Sequence, residues 1–100
     1  MAETSVFQKV YEVVKKIPKG KVSTYGDVAK LCGITNVQVV GYALHSNKSP
    51  ETIPCHRVVK KGGLLAGGYA FGGWQIQKKK LEEEGIHFIQ NKIDSTYFIS

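Results

Sequence analysis

The stretch TYGDVAKLCGITNVQVVGYALHS, residues 24–46, decides the fold of this 100-residue chain. Thr24 precedes Asp27 by three residues, which is the spacing of a helix N-terminal capping box, and Gly33 is a typical helix stop. The stretch therefore predicts a helix over residues 25–32. The apolar spacing places three residues on its buried face: Val28, Leu31 and Cys32.

A second helix is expected after the turn GIT, capped by Asn36 and reaching about Ser46. Its buried stripe should comprise Val37, Val39, Val40, Ala43 and Leu44. The opposite side should carry Gln38, Gly41, Tyr42 and His45. Two short helices joined by a glycine-containing turn favour a helix-turn-helix, although many helical hairpins bind nothing.

The flanking segments predict two more helices and a long irregular region. Apolar residues at helical spacing indicate a first helix from Thr4 or Ser5 to about Lys16, followed by at most a short extended piece at residues 21–23. Residues 47–73 are loop-like and rich in glycine. A last helix is expected over 74–84, and the tail 86–100 either adds a strand or frays.

Composition indicates one domain, residues 1–100, with a basic surface. Fourteen Lys and Arg against eight Asp and Glu give a net charge of +6, which favours a polyanionic partner such as nucleic acid; a lysine-rich surface without a partner is the alternative. An apolar leader and runs long enough to span a membrane are missing. Cys32 and Cys55 differ in context, so we expect free thiols, with Cys32 structural, in a cytoplasmic protein, or a nuclear one in a eukaryote.

The stretch IPCHRVVKKGG, residues 53–63, sets Cys55, His56 and Arg57 side by side after a proline. A thiol reacts as its thiolate, so it needs a base or a positive charge nearby. Adjacent side chains on a strand point to opposite faces, however, and Cys55 and His56 can cooperate only across a turn or a helical start. By itself the pair is compatible with catalysis or with coincidence. The histidines and cysteines lack metal-ligand spacing, and we expect no metal and no cofactor.

This stretch resembles the active-site signature of the O6-alkylguanine-DNA alkyltransferases, which move an alkyl group from guanine onto their own cysteine. The segments GKVSTYGDVAKLCG, VVGYALHSNKSP, GGYAFGG and KKKLEEEG are similar to that family in order and spacing, from about Phe7 to Ile86. The resemblance covers the family's C-terminal DNA-binding and catalytic domain. It implies a mainly α, winged-helix-like fold with short β elements, containing the helix-turn-helix and a glycine-rich active-site loop.

The resemblance also implies roles for individual residues. Cys55 would be the nucleophile, His56 its base through a water molecule, and Glu84 the group that orients His56. Tyr25 would donate a proton to the leaving guanine, and Asn47 would brace the turns around the site. Taken without the resemblance, Glu84 is interpreted as a surface carboxylate and Tyr25 as a packing residue.

Two further sets of residues follow from the resemblance. Carbonyl groups of Cys55 and Val58, with the loop residues Tyr69, Ala70 and Phe71, would bind the flipped guanine. The expected DNA contacts are Gln38, Gly41, Tyr42, Ala43, His45, Arg57 and Lys60. Arg57 is open to a second interpretation, as an anchor between the helix-turn-helix and the site. The implied partner is double-stranded DNA containing O6-alkylguanine, bound by a monomer.

Gln38 departs from the family pattern, because an arginine usually stands there and fills the gap left by the flipped nucleotide. The family resemblance therefore predicts a single-turnover methylated-DNA–protein-cysteine methyltransferase, with flipping of uncertain efficiency. The alternative is an alkyltransferase-like sensor, which binds alkylated DNA without repair; such proteins typically carry tryptophan or alanine where Cys55 stands. A plain helix-turn-helix regulator is a third hypothesis.

Overall fold

A computed structural model describes residues 6–65 and 72–99. Its helices are α1 (Val6–Lys15), α2 (Tyr25–Cys32), α3 (Gln38–His45) and α4 (Gly73–Glu83). The strands are β1 (Ser23–Thr24), β2 (Val58–Val59), β3 (Phe88–Ile89) and β4 (Lys92–Ile93). Short 3₁₀ turns lie at Cys55–Arg57, Lys61–Gly63 and Ser95–Tyr97. The predicted mainly α fold with short β elements is confirmed.

The helix-turn-helix of α2 and α3 forms close to its predicted bounds. The Thr24 hydroxyl accepts a 3.0 Å hydrogen bond from the Asp27 backbone N–H, and Gly33 ends α2 with φ +71°. α3 begins one residue later than expected, because the Asn36 side-chain oxygen accepts the Gln38 N–H at 3.0 Å in a turn that precedes the helix. Both helix starts are thus specified by short polar side chains that bond locally.

Two apolar clusters form the core of the part of the chain that the structure describes. The larger one unites α1, α2, α3 and the segment at Cys55, with Val10, Val14, Ile17, Val28, Ala29, Val40, Ala43, Leu44, Cys55 and Val58 buried. The smaller one joins α4 to the C-terminal segment through Val22, Val59, Leu81, Ile86 and Ile93. These two clusters meet at β2, because Val58 belongs to the first and Val59 to the second.

Three expectations about burial were wrong. Leu31 is 68% exposed, because the buried face of α2 is centred between Val28 and Ala29, and a 100° step per residue carries Leu31 out of it. Val37 is exposed because it precedes the first turn of α3. Cys32 is only half-buried, at the edge of the contact between α1 and α2.

The strand pairings bring distant segments together at the centre of the molecule. β1 runs parallel to β2, with Ser23 opposite Val58 and Thr24 opposite Val59, so the start of α2 lies beside the segment that follows Cys55. The C-terminal tail does not fray: β3 and β4 form an antiparallel hairpin turned at Gln90 and Asn91, which both have positive φ. Within the described ranges, no helix is long and apolar enough to cross a membrane.

Substitution of Gly63 tests how tightly the C-terminal hairpin packs against the segment that follows β2. Its φ is +86°, and a Cβ there would collide with the Ile93 backbone. Gly63→Ala should therefore lower the free energy of unfolding by about 1–2 kcal/mol for the left-handed backbone and by roughly 1–3 kcal/mol more for overpacking. Urea denaturation monitored by circular dichroism measures it.

Gly62→Ala is the matched control, since Gly62 has φ +85° but open space around the Cβ position. Gly62→Ala should show the loss of stability that comes from the left-handed backbone but not the loss that comes from overpacking. Equal losses in the two variants would contradict the close packing of Gly63 on Ile93.

Candidate active site

The turn Cys55–Arg57, here called the active-site turn, resolves the difficulty that neighbouring side chains on a strand diverge. Pro54 leads into a 3₁₀ turn in which Arg57 N–H donates to the Pro54 carbonyl at 2.9 Å and Cys55 N–H donates to the Ile53 carbonyl at 2.7 Å. The turn leaves both Cys55 and His56 buried, at 4% and 7% exposure. Thiol and imidazole are therefore both buried in the interior.

Glu84 holds the histidine. His56 Nε2 lies 2.9 Å from Glu84 Oε2, and Arg57 donates to the same carboxylate through Nε at 3.0 Å and Nη2 at 2.8 Å. Glu84 caps the C-terminal end of α4, and its side chain is 12% exposed, whereas Glu82 and Glu83 are exposed. Burial raises the pKa of Glu84, but the bonds from Arg57 and His56 outweigh it and bring the pKa down to about 2.

The tautomer of His56 follows from this contact. A carboxylate only accepts, so Nε2 carries the hydrogen and Nδ1 is left with a bare lone pair. Nδ1 is buried and has no hydrogen-bond partner among the described residues. Burial and the positive charges of Arg57 and Lys80 lower the pKa of His56 despite the opposing influence of Glu84, so the ring is neutral at pH 7. A neutral imidazole with a free lone pair can accept a proton as a general base.

The Cys55 thiol is protonated at rest. Burial raises its pKa, and three smaller influences lower it: a hydrogen bond from Asn47, a backbone hydrogen bond within Cys55 and the positive charge of Lys80. Lys80 lies on α4 one turn before Glu84, and its charge also lowers the pKa of His56. Attack by sulfur therefore requires removal of a proton, for which Nδ1 of His56 is available.

Asn47 and Tyr25 flank the turn. Asn47 is 4% exposed; its Nδ2 donates to the Ile53 carbonyl at 3.0 Å, and its Oδ1 accepts from Ser49 N–H at 2.9 Å. It thereby ties the end of α3 to the residues before Cys55. Tyr25 is the first residue of α2, and burial together with the nearby Cys55 raises the pKa of its phenol. The phenol consequently keeps its proton at neutral pH.

Arg57 makes three hydrogen bonds inside the protein, and its expected contact with DNA stays a prediction. Its Nη1 donates to the Ile17 carbonyl at 2.8 Å, while Nε and Nη2 are engaged by Glu84. The guanidinium therefore connects the end of α1 with the end of α4. These bonds use three of the five N–H donors of the guanidinium group, and the side chain is 16% exposed.

Gln77 is a buried polar residue beside the active-site turn that the sequence did not predict. It is 2% exposed, and its Nε2 donates to the carbonyls of His56 and Val58, each at 3.1 Å. One of the two lone pairs of the Val58 carbonyl, predicted to accept from guanine, is thus already in use. Gln77 precedes Glu84 by seven residues, which is two helical turns, and this spacing was the available signal.

The outer side of α3 forms a separate surface. Gln38, Gly41, Tyr42, His45 and Ser46 line a cleft of about 650 Å³ together with Tyr25. Ala43 does not belong to it, because its side chain is fully buried in the core, so the expected DNA contact by Ala43 is corrected. Lys60 is exposed after β2. Tyr69, Ala70 and Phe71 lie outside the described residues and stay predictions.

Replacing Glu84 by glutamine tests the buried carboxylate. Glu84→Gln should lower the free energy of unfolding at pH 7 by about 2–4 kcal/mol, because two donors lose their charged acceptor. The folded-state pKa of about 2 lies below the ordinary 4.5, so wild-type stabilisation is complete above pH 4.5 and disappears as the pH falls toward 2. Urea denaturation at pH 7 and pH 3 should show that the variant has lost most of this dependence.

Glu83→Gln removes the same charge from the exposed neighbouring position and should change stability by less than about 0.5 kcal/mol. Equal effects of the two substitutions would mean that Glu84 acts only through net charge. The pKa of Glu84 would then have to lie near its ordinary value.

Comparison with known proteins places this arrangement among DNA alkyltransferases. Residues 5–86 match the family described as 6-O-methylguanine DNA methyltransferase, DNA binding domain. The chain is 45% identical over 92 residues to the methylated-DNA–protein-cysteine methyltransferase of Methanocaldococcus jannaschii, an alignment covering 90% of this chain and 52% of that protein. It is 40% identical over 89 residues to alkyltransferase-like protein 1 of Schizosaccharomyces pombe, covering 87% and 82%.

Solved structures of both kinds of protein superpose on the chain. S. pombe Atl1 in complex with damaged DNA containing O6-carboxymethylguanine gives a TM-score of 0.86 at 34% identity, covering 100% of this chain and 99% of that one. O6-methylguanine-DNA methyltransferase from Pyrococcus kodakaraensis strain KOD1 gives 0.72 at 39% identity, covering 83% and 47%. The chain spans about half the length of the methyltransferases that it matches. On this evidence the chain belongs to the O6-methylguanine DNA methyltransferase family, whose DNA-binding domain it contains.

Proposed function

We propose that this protein transfers an alkyl group from O6 of guanine in DNA to Sγ of Cys55, once per molecule. The observation that carries the proposal is the buried Cys55–His56–Glu84 set, in which His56 Nδ1 has a free lone pair. A sensor needs no base beside a cysteine. Because the pKa of His56 is lowered and the pKa of Cys55 is raised, both groups are neutral at pH 7 before DNA is bound.

The reaction is a one-step displacement at the alkyl carbon. The thiol proton passes through a water molecule to Nδ1 of His56, and Glu84 stabilises the resulting imidazolium. Sulfur bonds to the alkyl carbon as the carbon–O6 bond breaks, and the electron pair remains with guanine. Tyr25 donates a proton to guanine, and the imidazolium proton replaces it through solvent. In net terms the alkyl group moves to sulfur and the thiol proton to guanine.

DNA recognition is assigned to the cleft on the outer side of α3. The net charge of +6 suits a polyanion, and the cleft adjoins Tyr25, so a nucleotide drawn out of the duplex there would lie close to the site. The exposed Lys60 is a phosphate contact in this proposal. The double-stranded DNA containing O6-alkylguanine is bound by one copy of the protein.

A second candidate function is lesion recognition without transfer. The full-length superposition on S. pombe Atl1, a protein solved with damaged DNA, favours it. Both functions require flipping and the cleft of α3, and only the first requires the thiol. Chemistry at Cys55 therefore separates them.

Intact-protein mass spectrometry after incubation with a duplex containing O6-methylguanine is the decisive experiment. We expect a mass gain of one methyl group in place of hydrogen, at most one per protein molecule, mapped by peptide analysis to Cys55. Cys55→Ala should abolish the gain, and Cys32→Ala is the matched control that should keep it.

Lesion-dependent binding without a mass change would refute transfer and support the sensor. Binding that does not distinguish damaged from undamaged duplex would support a plain helix-turn-helix regulator.

Gln38→Arg tests the cleft. An arginine should fill the space of a flipped nucleotide and tighten binding to lesion-containing duplex by about fivefold to tenfold, corresponding to roughly 1 kcal/mol. Fluorescence anisotropy at fixed ionic strength measures the dissociation constants for damaged and undamaged duplexes.

Gln38→Lys is the control for charge alone, since a new phosphate contact should tighten binding to both duplexes equally. A lesion-selective gain for arginine only supports insertion at this position. An equal gain on both duplexes, or none, would show that Gln38 does not face the flipped nucleotide.

A further inference from the structure

Gln77 holds the backbone on either side of Arg57. It is buried at 2% exposure in the first half of α4, and its Nε2 donates to the carbonyls of His56 and Val58, both at 3.1 Å. A buried primary amide placing both hydrogens on backbone carbonyls 21 and 19 residues away is a specific cross-link between two segments. Neither carbonyl belongs to the helix that carries the amide.

Together with Glu84, Gln77 holds His56 at two points. Glu84 fixes the imidazole through Nε2, and Gln77 fixes the backbone carbonyl of the same residue. Glu84 and Gln77 lie two helical turns apart on α4, so one helix holds both the imidazole ring and the backbone of His56. The direction of the Nδ1 lone pair depends on both contacts, because rotation about either end would swing the ring.

The second carbonyl extends this control to the rest of the site. Val58 begins β2, which pairs with β1 at Ser23, and β1 leads directly into Tyr25. By holding the Val58 carbonyl, Gln77 fixes the position of β2 relative to α4. α4 thereby sets the positions of both His56, which would remove the thiol proton, and Tyr25, which would protonate guanine.

We propose that Gln77 is a positioning residue, which locks the active-site turn so that Nδ1 of His56 faces the Cys55 thiol. The proposal rests on the alkyl transfer proposed above for its effect on repair. Its effect on the Cys55–His56 pair stands independently of DNA. A 1 Å displacement of a reacting group costs up to about a hundredfold in rate, so loss of one clamp should be visible in kinetics.

The test compares Gln77→Met, which has a similar volume and no donors, with Gln77→Lys, whose ammonium group can donate to both carbonyls again. Gln75→Met, at an exposed position of α4, is the matched control. Single-turnover transfer is measured at saturating O6-methylguanine duplex, and the dissociation constant for the same duplex is measured with Cys55→Ala in each background. Assays are run where circular dichroism shows every variant folded.

Gln77→Met should slow transfer by about tenfold to a hundredfold while the dissociation constant changes less than about twofold. Gln77→Lys should recover the rate to within about threefold of wild type, and Gln75→Met should match wild type. An unchanged transfer rate in Gln77→Met, a loss confined to binding, or a Gln77→Lys rate as low as that of Gln77→Met would each overturn the proposal. If Gln77→Met does not fold, Gln77→Asn, which keeps the amide but cannot span both carbonyls, decides by the same criteria.

Iodoacetamide provides a readout that needs no DNA. The rate of carboxamidomethylation at Cys55, mapped by mass spectrometry with Cys32→Ala as background, is followed from pH 5 to pH 9. In wild type, part of this alkylation rate should depend on His56 as the base and vary with pH, and His56→Gln should remove that part. Gln77→Met should reduce the His56-dependent part of the rate by about tenfold. An unchanged His56-dependent rate in Gln77→Met would refute the positioning role even if no methyl transfer were detected. A reduced rate in a protein that transfers no methyl group would support the role of Gln77 and refute the proposed function alone.

Discussion

The Glu84 carboxylate is the contact on which the site depends. It accepts hydrogen bonds from His56 and Arg57, and Arg57 continues to the Ile17 carbonyl. Three segments far apart in the chain, the end of α1, the active-site turn and the end of α4, therefore meet at one buried charge. Because a buried carboxylate without donors is costly, the three segments are held in one arrangement.

Burial around this charge sets the resting chemistry of the other two groups. Desolvation raises the pKa of Cys55 and lowers that of His56, so both are neutral before substrate arrives. A permanently ionised thiolate would be open to oxidation and to stray electrophiles. In the arrangement seen here, a proton must move before sulfur attacks, and Nδ1 of His56 is the buried acceptor that has no other partner among the described residues.

The chain stands between two kinds of relative. The buried Cys55, His56 and Glu84 suit the transfer proposed above, while S. pombe Atl1 superposes on the full chain. Fold similarity does not discriminate between them, because lesion binding by the helix-turn-helix and transfer by a thiol use separate parts of the molecule. In the functions proposed above, the cleft of α3 would serve repair and lesion recognition alike, whereas the contacts of Gln77 and Glu84 with the active-site turn would matter for transfer, in which His56 must point at a thiol.

The sequence by itself determined the features that depend on local bonds. Thr24, Asp27 and Gly33 specified α2 because capping and helix termination involve neighbouring residues. The PCHR stretch and its flanking segments indicated the family and placed Cys55, His56 and Glu84 in the site. The apolar periodicity also located α1 and α3 to within about two residues, and Gly85 marked the end of α4.

Only the tertiary structure decided the contacts between distant segments. Leu31 has helical spacing from Val28, but the direction from which α1 packs left it outside the core. Arg57 had the charge expected of a DNA contact, and the positions of Ile17 and Glu84 turned it inward. The spacing of seven residues from Glu84 placed Gln77 on the same helix face, but it did not show which groups the buried amide would meet. Its role arises because α4 packs across a turn some twenty residues earlier, and side-chain chemistry within one segment does not specify which backbone carbonyls it will meet.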